Sequence, residues 1–374
     1  MTSSSSQKIL SDCGKSRLPQ GSGRRPHPGA VPGAASPAPA DRQATPKVLI
    51  LASDALFPHF FSEATLERLS AVADWRRSTE RVDTLRLRRL IVDADALITT
   101  WHSPFITVPM LGRTPRVRVI AHCGGEVKSR MEENVIDLVT VTNAPDPMAA
   151  PVAEMALAMM LSLVRRLPDY DRRMRAGEMV DNRRATEGET LAGRKVGIIG
   201  FGRIGRALAR LLPPLKVELL VADPYFSMEY AAGLCMRRVD LEELLRSCSV
   251  VVLAAGLTER TTGLLDARHL KLMPDGAYVI NVARGGLVDM EALMAELRSG
   301  RIGAALDVTD PLEPLPEGHE LRHLPNVILT PHVAAGGVEV RRAMGAAAVG
   351  AVAAFFSGQT PANIVTREML SRMT

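Results

Sequence analysis

Three strand ends in the C-terminal half of the chain carry side chains that could do chemistry. Arg284 follows the apolar stretch Ala277–Asn281 and precedes two glycines, and a guanidinium there can clamp a carboxylate through two parallel hydrogen bonds. His332 sits in Leu329-Thr-Pro-His-Val-Ala334, and imidazole is the side chain best suited to moving protons near neutral pH. Between them, Ala305-Leu-Asp-Val-Thr-Asp-Pro-Leu-Glu-Pro314 places Asp310 and Glu313 in a proline-stiffened loop. Each of these alone is usually bland: a surface arginine pairs with an acid, an acidic loop is solvated, a strand-end histidine is structural. Together they offer a carboxylate clamp and a proton donor.

A second constellation lies upstream. Lys195-Val-Gly-Ile-Ile-Gly-Phe-Gly-Arg-Ile-Gly205 passes from an apolar strand through Gly-x-Gly-x-x-Gly into a helix that Pro213-Pro214 stops. In this setting Gly200 permits the tight turn, Gly202 lets the backbone approach a pyrophosphate, and Gly205 lets the helix pack closely on the strand. The amides and positive dipole end of that helix face the anion. The next strand, Val217–Ala222, ends in Asp223, where an acid can accept both ribose hydroxyls of NAD and repel the extra phosphate of NADP.

The elements that must position these residues alternate. Strands are expected at Lys47–Ala52, Ala96–Thr100, Val117–Ala121 and Leu138–Thr142, with a helix around Phe61–Val72. Asn143-Ala-Pro-Asp-Pro147 breaks the chain before a long helix over about Met148–Leu167. Beyond the glycine loop come strands Val250–Ala254, Ala277–Asn281, Ala304–Val308 and Val327–Leu329, then a final helix over Val338–Phe356. Alternating strand and helix means a parallel sheet covered on both faces, an α/β architecture. Two such units joined by two crossings leave a cleft at the carboxyl ends of the strands, where open sheets bind ligands.

Composition narrows the classes. At 374 residues, with 46% hydrophobic and 23% charged residues, the chain has the make-up of an ordinary soluble protein with room for two domains. Met148–Leu163 contains Glu154 and reads as a buried helix too short to span a bilayer, so no membrane partner is expected. Residues 1–46 are rich in Ser, Pro, Gly and Ala and read as a disordered tail. That tail holds six basic and two acidic residues and so carries most of the net charge of +5, which argues against a nucleic-acid face on the folded part. Cys13, Cys123, Cys235 and Cys248 are scattered without metal-ligand spacing, which fits a reducing cytoplasm and no metal site.

Read together, Val196–Gly205 with Asp223-Pro-Tyr225, Asn281-Val-Ala-Arg-Gly-Gly-Leu-Val-Asp289, Ala304-Ala-Leu-Asp-Val308 and Thr330-Pro-His332 resemble the D-isomer-specific 2-hydroxyacid dehydrogenases, over most of residues 47–360. The resemblance implies two Rossmann-like domains, with a nucleotide-binding domain (149–334) inserted in a discontinuous, flavodoxin-like substrate domain (47–148 and 335–374). It implies an NAD-dependent enzyme interconverting a small 2-keto acid and its D-2-hydroxy acid in the cleft between them. Arg284 would hold the substrate carboxylate and carbonyl, His332 would be the acid/base, and Glu313 would hydrogen-bond to His332. A carboxylate beside imidazole favours the imidazolium form, which can protonate the oxygen of a keto acid. Arg203 and Ile204 would present amides to the pyrophosphate; Ala255, Thr261 and Val282 would line the cofactor groove; Asp307 would lie near the nicotinamide.

On the opposite wall, His122-Cys-Gly-Gly-Glu-Val-Lys128 takes the place of the family's substrate loop, so that Cys123, Gly124 and Gly125 would grip the carboxylate through backbone amides. Trp101-His102 would form the pocket mouth. Three departures from the family pattern stand out. Glu126 and Lys128 replace a more familiar aromatic and acidic pattern, which leaves the substrate open among glyoxylate, hydroxypyruvate and similar compact acids. Leu312 looks like an additional residue, which keeps Asp310 as an alternative partner for His332. Ala255-Gly-Leu-Thr258 lacks the family's proline, so a looser loop is expected. A homodimer is implied, with Met148 to about Thr190 embracing the partner. A reading from another class is a corepressor-like protein that senses NAD(H) without turnover.

Overall fold

The computed structural model describes residues 45–112, 114–181, 188–227, 229 and 234–373. The tail expected over residues 1–46 lies outside them but for Thr45 and Pro46. Two parallel sheets organise the described chain. The first contains β1 (Lys47–Leu51), β2 (Asp74–Ser78), β3 (Ala96–Thr99), β4 (Val119–His122) and β5 (Thr140–Thr142), in the order β2-β1-β3-β4-β5. This is the flavodoxin-like order, with its switch point between β1 and β3. The second contains β6 (Lys195–Ile199), β7 (Glu218–Ala222), β8 (Met236–Arg238), β9 (Val250–Leu253), β10 (Tyr278–Asn281), β11 (Gly303–Leu306) and β12 (Val327–Leu329), in the order β12-β11-β10-β9-β6-β7-β8. Here the order reverses between β6 and β9, as in dinucleotide-binding sheets.

The central strands are continuous apolar runs because helices cover both faces; every residue of β3, β4 and β9 is buried. Helices Phe57–Phe60, Glu63–Ser70 and Val338–Phe356 seal one face of the first sheet. The last of these docks at Gly345, where a Cβ would collide with the backbone of Phe60. On the second sheet, helices Asp146–Val164 and Arg203–Leu211 share one face, and Leu241–Ser247, Ala267–Leu272 and Met290–Arg298 lie on the other. Asp240, Asp266 and Asp289 start the latter three by accepting an amide of the first turn, which satisfies a donor the helix cannot.

Several boundaries differ from expectation. β2 and β8 are additional strands. The expected helix around Phe61–Val72 runs over Glu63–Ser70, and a short additional helix, Phe57–Phe60, precedes it. The long helix ends at Val164, because Arg166 takes a left-handed φ of 53° and a second helix, Leu167–Arg175, starts after it. At 19 residues Asp146–Val164 is in fact long and apolar enough to cross a bilayer. Its packing decides otherwise, since Val152, Ala156, Met160 and Leu163 are buried in the core of the second sheet. Among the described residues Cys123 and Cys248 are buried free thiols, whereas Cys235 is disulfide-bonded, which the scatter of the four cysteines did not lead one to expect.

Candidate active site

The glycine loop lies at the switch point of the second sheet. Gly200 leaves β6 with φ 93°, and a Cβ there would come within 2.5 Å of the Ala255 amide nitrogen just beyond β9. Gly205 packs so tightly that a Cβ would strike the Gly200 carbonyl, whereas a Cβ on Gly202 would project into open space. Asp223 accepts the amides of Phe201 at 2.5 Å and Tyr225 at 2.6 Å, which fastens the loop to the end of β7. The Arg203 side chain turns away to Asp146 (2.6 Å) and Asn363 (3.0 Å). The amides of Arg203 and Ile204 remain at the open N-terminus of a nine-residue helix. This cradle fits a dinucleotide pyrophosphate: space in front of Gly202, free amides and a positive helix end.

The loop after β9, expected to be loose for want of a proline, is braced by threonines. The Thr261 hydroxyl donates to the Gly256 carbonyl at 2.7 Å and accepts the Thr258 amide at 2.7 Å. Val282 is buried in the core and Ala255 is half-buried, and neither offers a polar side chain.

Arg284 is set by its neighbours. The buried Asn281 side chain donates to the Arg284 carbonyl at 2.8 Å and accepts the Ala283 amide at 3.0 Å, folding the turn at the end of β10. Gly285 must be glycine, because a Cβ would drive into the Thr309 carbonyl and come within 2.6 Å of the Asp310 nitrogen. The loop bearing the arginine therefore lies directly on the loop bearing Glu313. Burial pulls the Arg284 guanidinium below its ordinary pKa, while the charges of Glu126 and Glu313 pull it up. These two carboxylates come from opposite sides of the cleft, so Arg284 faces both halves.

His332 has a left-handed φ of 54°, strained for a residue with a Cβ. Asp307 holds it there. Its carbonyl accepts the His332 amide at 2.8 Å, and its buried carboxylate accepts the amides of Val333 and Ala334 at 2.9 Å each and the Thr330 hydroxyl at 2.5 Å. Asp307, expected near the nicotinamide, thus has a second task as the staple of the histidine turn. The imidazole Nδ1 bonds to a Glu313 oxygen, and Glu313 is steadied by the Thr309 amide at 3.4 Å. Between the two candidates, the structure pairs His332 with Glu313 and not with Asp310.

The opposite wall is built differently. His122 is fully buried, with Nδ1 2.9 Å from the Thr99 hydroxyl, and burial followed by the charge of Arg130 depresses its pKa to about 3. Cys123 departs from expectation: its amide is spent on the Thr99 carbonyl at 2.8 Å, and its thiol is buried, which pushes its pKa up. The next two residues keep their amides open. The carbonyls of Gly124 and Gly125 accept from the Ala144 amide at 2.8 Å and the Asn143 side chain at 2.7 Å, while their amides carry no bond among the described residues. Glu126 accepts the Ser129 amide at 3.0 Å and lies 3.8 Å from Arg130. Trp101 packs against this loop, its indole nitrogen 3.1 Å from where a Gly124 Cβ would be, and His102 follows it in the chain. Among the described residues no group of side chains is arranged to hold a metal ion.

A sequence model described as the D-isomer specific 2-hydroxyacid dehydrogenase, NAD binding domain, matches residues 157–334. The glyoxylate reductase of Thermococcus onnurineus is 35% identical over 287 residues, which is 75% of this chain and 85% of the relative. That of Pyrococcus furiosus is 33% identical over 82% of this chain and 92% of its own length. The chain belongs to the D-isomer-specific 2-hydroxyacid dehydrogenases. Among solved structures, the TT0316 protein of Thermus thermophilus superposes on this dehydrogenase with a TM-score of 0.72 and 31% identity, covering 86% of this chain and all of the other. The PH0520 protein of Pyrococcus horikoshii gives a TM-score of 0.73 at 29% identity, over 87% and 96%. The dehydrogenase accordingly uses a nicotinamide cofactor on 2-hydroxy or 2-keto acids.

Asn281 and Thr330 are site residues of this dehydrogenase that sequence reasoning passed over. Both stand inside the segments that carry the resemblance. Their signal was that each is a polar residue at or just past the end of a strand, one step into the loop it braces.

Proposed function

We propose that this dehydrogenase is an NAD-dependent reductase of 2-keto acids to D-2-hydroxy acids, reversible in principle, with Arg284 as the carboxylate clamp and His332 as the acid. The observation that carries this reading is the bond from His332 Nδ1 to Glu313 within electrostatic reach of Arg284. With Nδ1–H donated to Glu313, Nε2 is the nitrogen free to meet substrate. Arg284 and the amides of Gly124 and Gly125 hold the carboxylate, which presents the keto oxygen to Nε2. Bound NADH supplies the hydride received by C2. His332 gives its Nε2 proton to the carbonyl oxygen, is left neutral, and is recharged from solvent. Glu313 holds Nδ1 and so sets the orientation of the ring. Asp223 at the end of β7 favours NAD over NADP, because a 2′-phosphate would meet its charge.

The same reading places the protein as a homodimer through the segment after the long helix. Leu167, Met174 and Met179 are exposed there, Met179 at 98%, which supports a surface meant to be covered. Sedimentation tests this, and a monomer at micromolar concentration contradicts it. The activity is tested by NADH oxidation with glyoxylate, hydroxypyruvate and pyruvate, with His332→Ala as control. Turnover that depends on His332 is expected; tight NADH binding with no turnover favours the sensing protein instead.

A further inference from the structure

The segment that follows helix Val338–Phe356 is built onto the first sheet. Thr142, at the end of β5, bridges to Ile364, and the amide of buried Val365 donates to the Val141 carbonyl at 2.8 Å. Thr366 then starts helix Arg367–Arg372 by accepting the Met369 amide at 3.2 Å. The helix is firmly tied to this half. Arg367 pairs with Asp137 and donates to Asn134 at 3.0 Å, and Leu370 is buried in the core. Just past the helix, Met373 Sδ accepts the amide of Val127, in the substrate loop, at 3.2 Å. Both ends of the segment nevertheless reach the nucleotide half. At its start the Asn363 side chain accepts from Arg203 at 3.0 Å and donates to Asp146 at 2.7 Å, and Arg203 opens the helix whose amides form the pyrophosphate cradle. At its far end the Arg372 guanidinium carbon lies 4.3 Å from the ring centre of Tyr225, and Glu368, one turn back, pairs with the same guanidinium at 2.7 Å. Tyr225 donates its amide to the Asp223 carboxylate at 2.6 Å.

Asn363 and Arg372 thus stand beside two successive points on the path of a dinucleotide, the pyrophosphate at the glycine loop and the adenosine ribose at Asp223. We infer that residues 363–373, although part of the substrate half, form the outer rim of the cofactor groove. Arg372 is a positioning residue for its adenosine end, acting through Tyr225 on Asp223. A cation over an aromatic face is an attractive contact, and this one crosses from one half of the molecule to the other. It therefore favours the arrangement in which the groove has its rim. A ligand that needs that arrangement is bound more tightly when the contact is present, by at most the weight of the contact itself. The inference rests on the reading of Asp223 as the ribose acceptor for its ligand, and on the arginine–tyrosine contact for its residue.

The test titrates ADP-ribose, which carries the adenosine and pyrophosphate but no nicotinamide, into the full chain by calorimetry, so that turnover plays no part. Arg372→Ala and Tyr225→Ala are each expected to weaken its binding by about two- to fivefold, the weight of one exposed cation over an aromatic ring. The double variant is expected to bind no more weakly than Tyr225→Ala alone, because both changes remove the same contact. Tyr225→Phe, which keeps the ring, is expected to bind as the parent does, and Arg372→Lys, which keeps the charge, to recover most of the loss. Unchanged affinity in Arg372→Ala overturns the inference. So do losses that multiply in the double variant, or a loss that Arg372→Lys leaves in place, since either would mark a general disturbance of the fold. Asp223→Ala separates the two readings: if it weakens ADP-ribose binding while Arg372→Ala does not, the ribose reading stands and the rim falls. If neither weakens it, the ribose reading fails as well.

Discussion

The two walls of the cleft are held by opposite means. On the nucleotide side every loop is tied to another: Asn281 folds the turn of Arg284, Gly285 lets that turn rest on Thr309, and Asp307 gathers Thr330, Val333 and Ala334 around His332. On the substrate side the floor is sealed by buried His122 and Cys123, while the amides of Gly124 and Gly125 and the Trp101 indole N–H have no partner among the described residues. Proton transfer fails when a donor is misplaced by an ångström, so the chemical wall is over-determined. Recognition needs groups still free to bond, so the other wall keeps them.

The comparison can be broken most severely at the proton donor. His332→Ala is expected to lower kcat/KM by roughly 10²–10⁴ while the NADH dissociation constant, read by fluorescence titration, stays within about twofold. A matching loss of NADH affinity would mean that the wall had collapsed and not merely lost its acid. The opposite wall is tested by acid. His122 sits at about 3 in the fold against an ordinary 6.5, so between those values the unfolded chain binds a proton that the native chain does not. Stability therefore falls as pH drops below 6.5, by about 1.4 kcal/mol per unit from this group. Urea unfolding at pH 6.5 and 4.5 is expected to show His122→Gln gaining about 2 kcal/mol on the parent over that interval. Parallel behaviour of the two proteins would place the histidine in contact with water.

Much of the chemical wall was legible because its ties are local in sequence. Arg284 and His332 end apolar strands, and a polar residue at such a boundary is visible without coordinates. Glu313 against Asp310 was not decidable, since the choice depends on how a loop with two prolines folds across 19 residues to reach the histidine. β2 and β8 escaped notice for a different reason. As edge strands they bury little: Ser78 alone is buried in Asp74–Ser78, and nothing is in Met236–Arg238, so neither has the apolar run by which the central strands are recognised. The threonine bonds that brace the Gly256–Thr262 loop were not legible, because they depend on how hydroxyls meet backbone groups within the turn. The meeting of Trp101, His122, Arg130 and Arg341 on the substrate wall was not legible, since only the fold brings them together.

Two smaller effects sharpen the contrast. Gly285→Ala presses a methyl into the Thr309–Asp310 backbone and is expected to destabilise the protein by about 1–3 kcal/mol, seen as a lower Tm. An unchanged Tm would mean that the two loops can part without cost. Asp223→Asn keeps one of the two oxygens that accept the amides of Phe201 and Tyr225 and removes the charge. The preference for NAD over NADP, measured as a ratio of kcat/KM values, is expected to fall by about tenfold. A constant ratio would take the selectivity away from this strand end.

The central claim is that Arg284 and His332 place a keto acid to receive hydride at C2 and a proton on its oxygen. Single turnover with NADH deuterated at the transferable C4 position tests it most directly. The account predicts a D-2-hydroxy acid with one deuterium at C2 from the parent protein, and none above background from His332→Ala in the same time. Product without deuterium, or equal labelling in the two proteins, would contradict it.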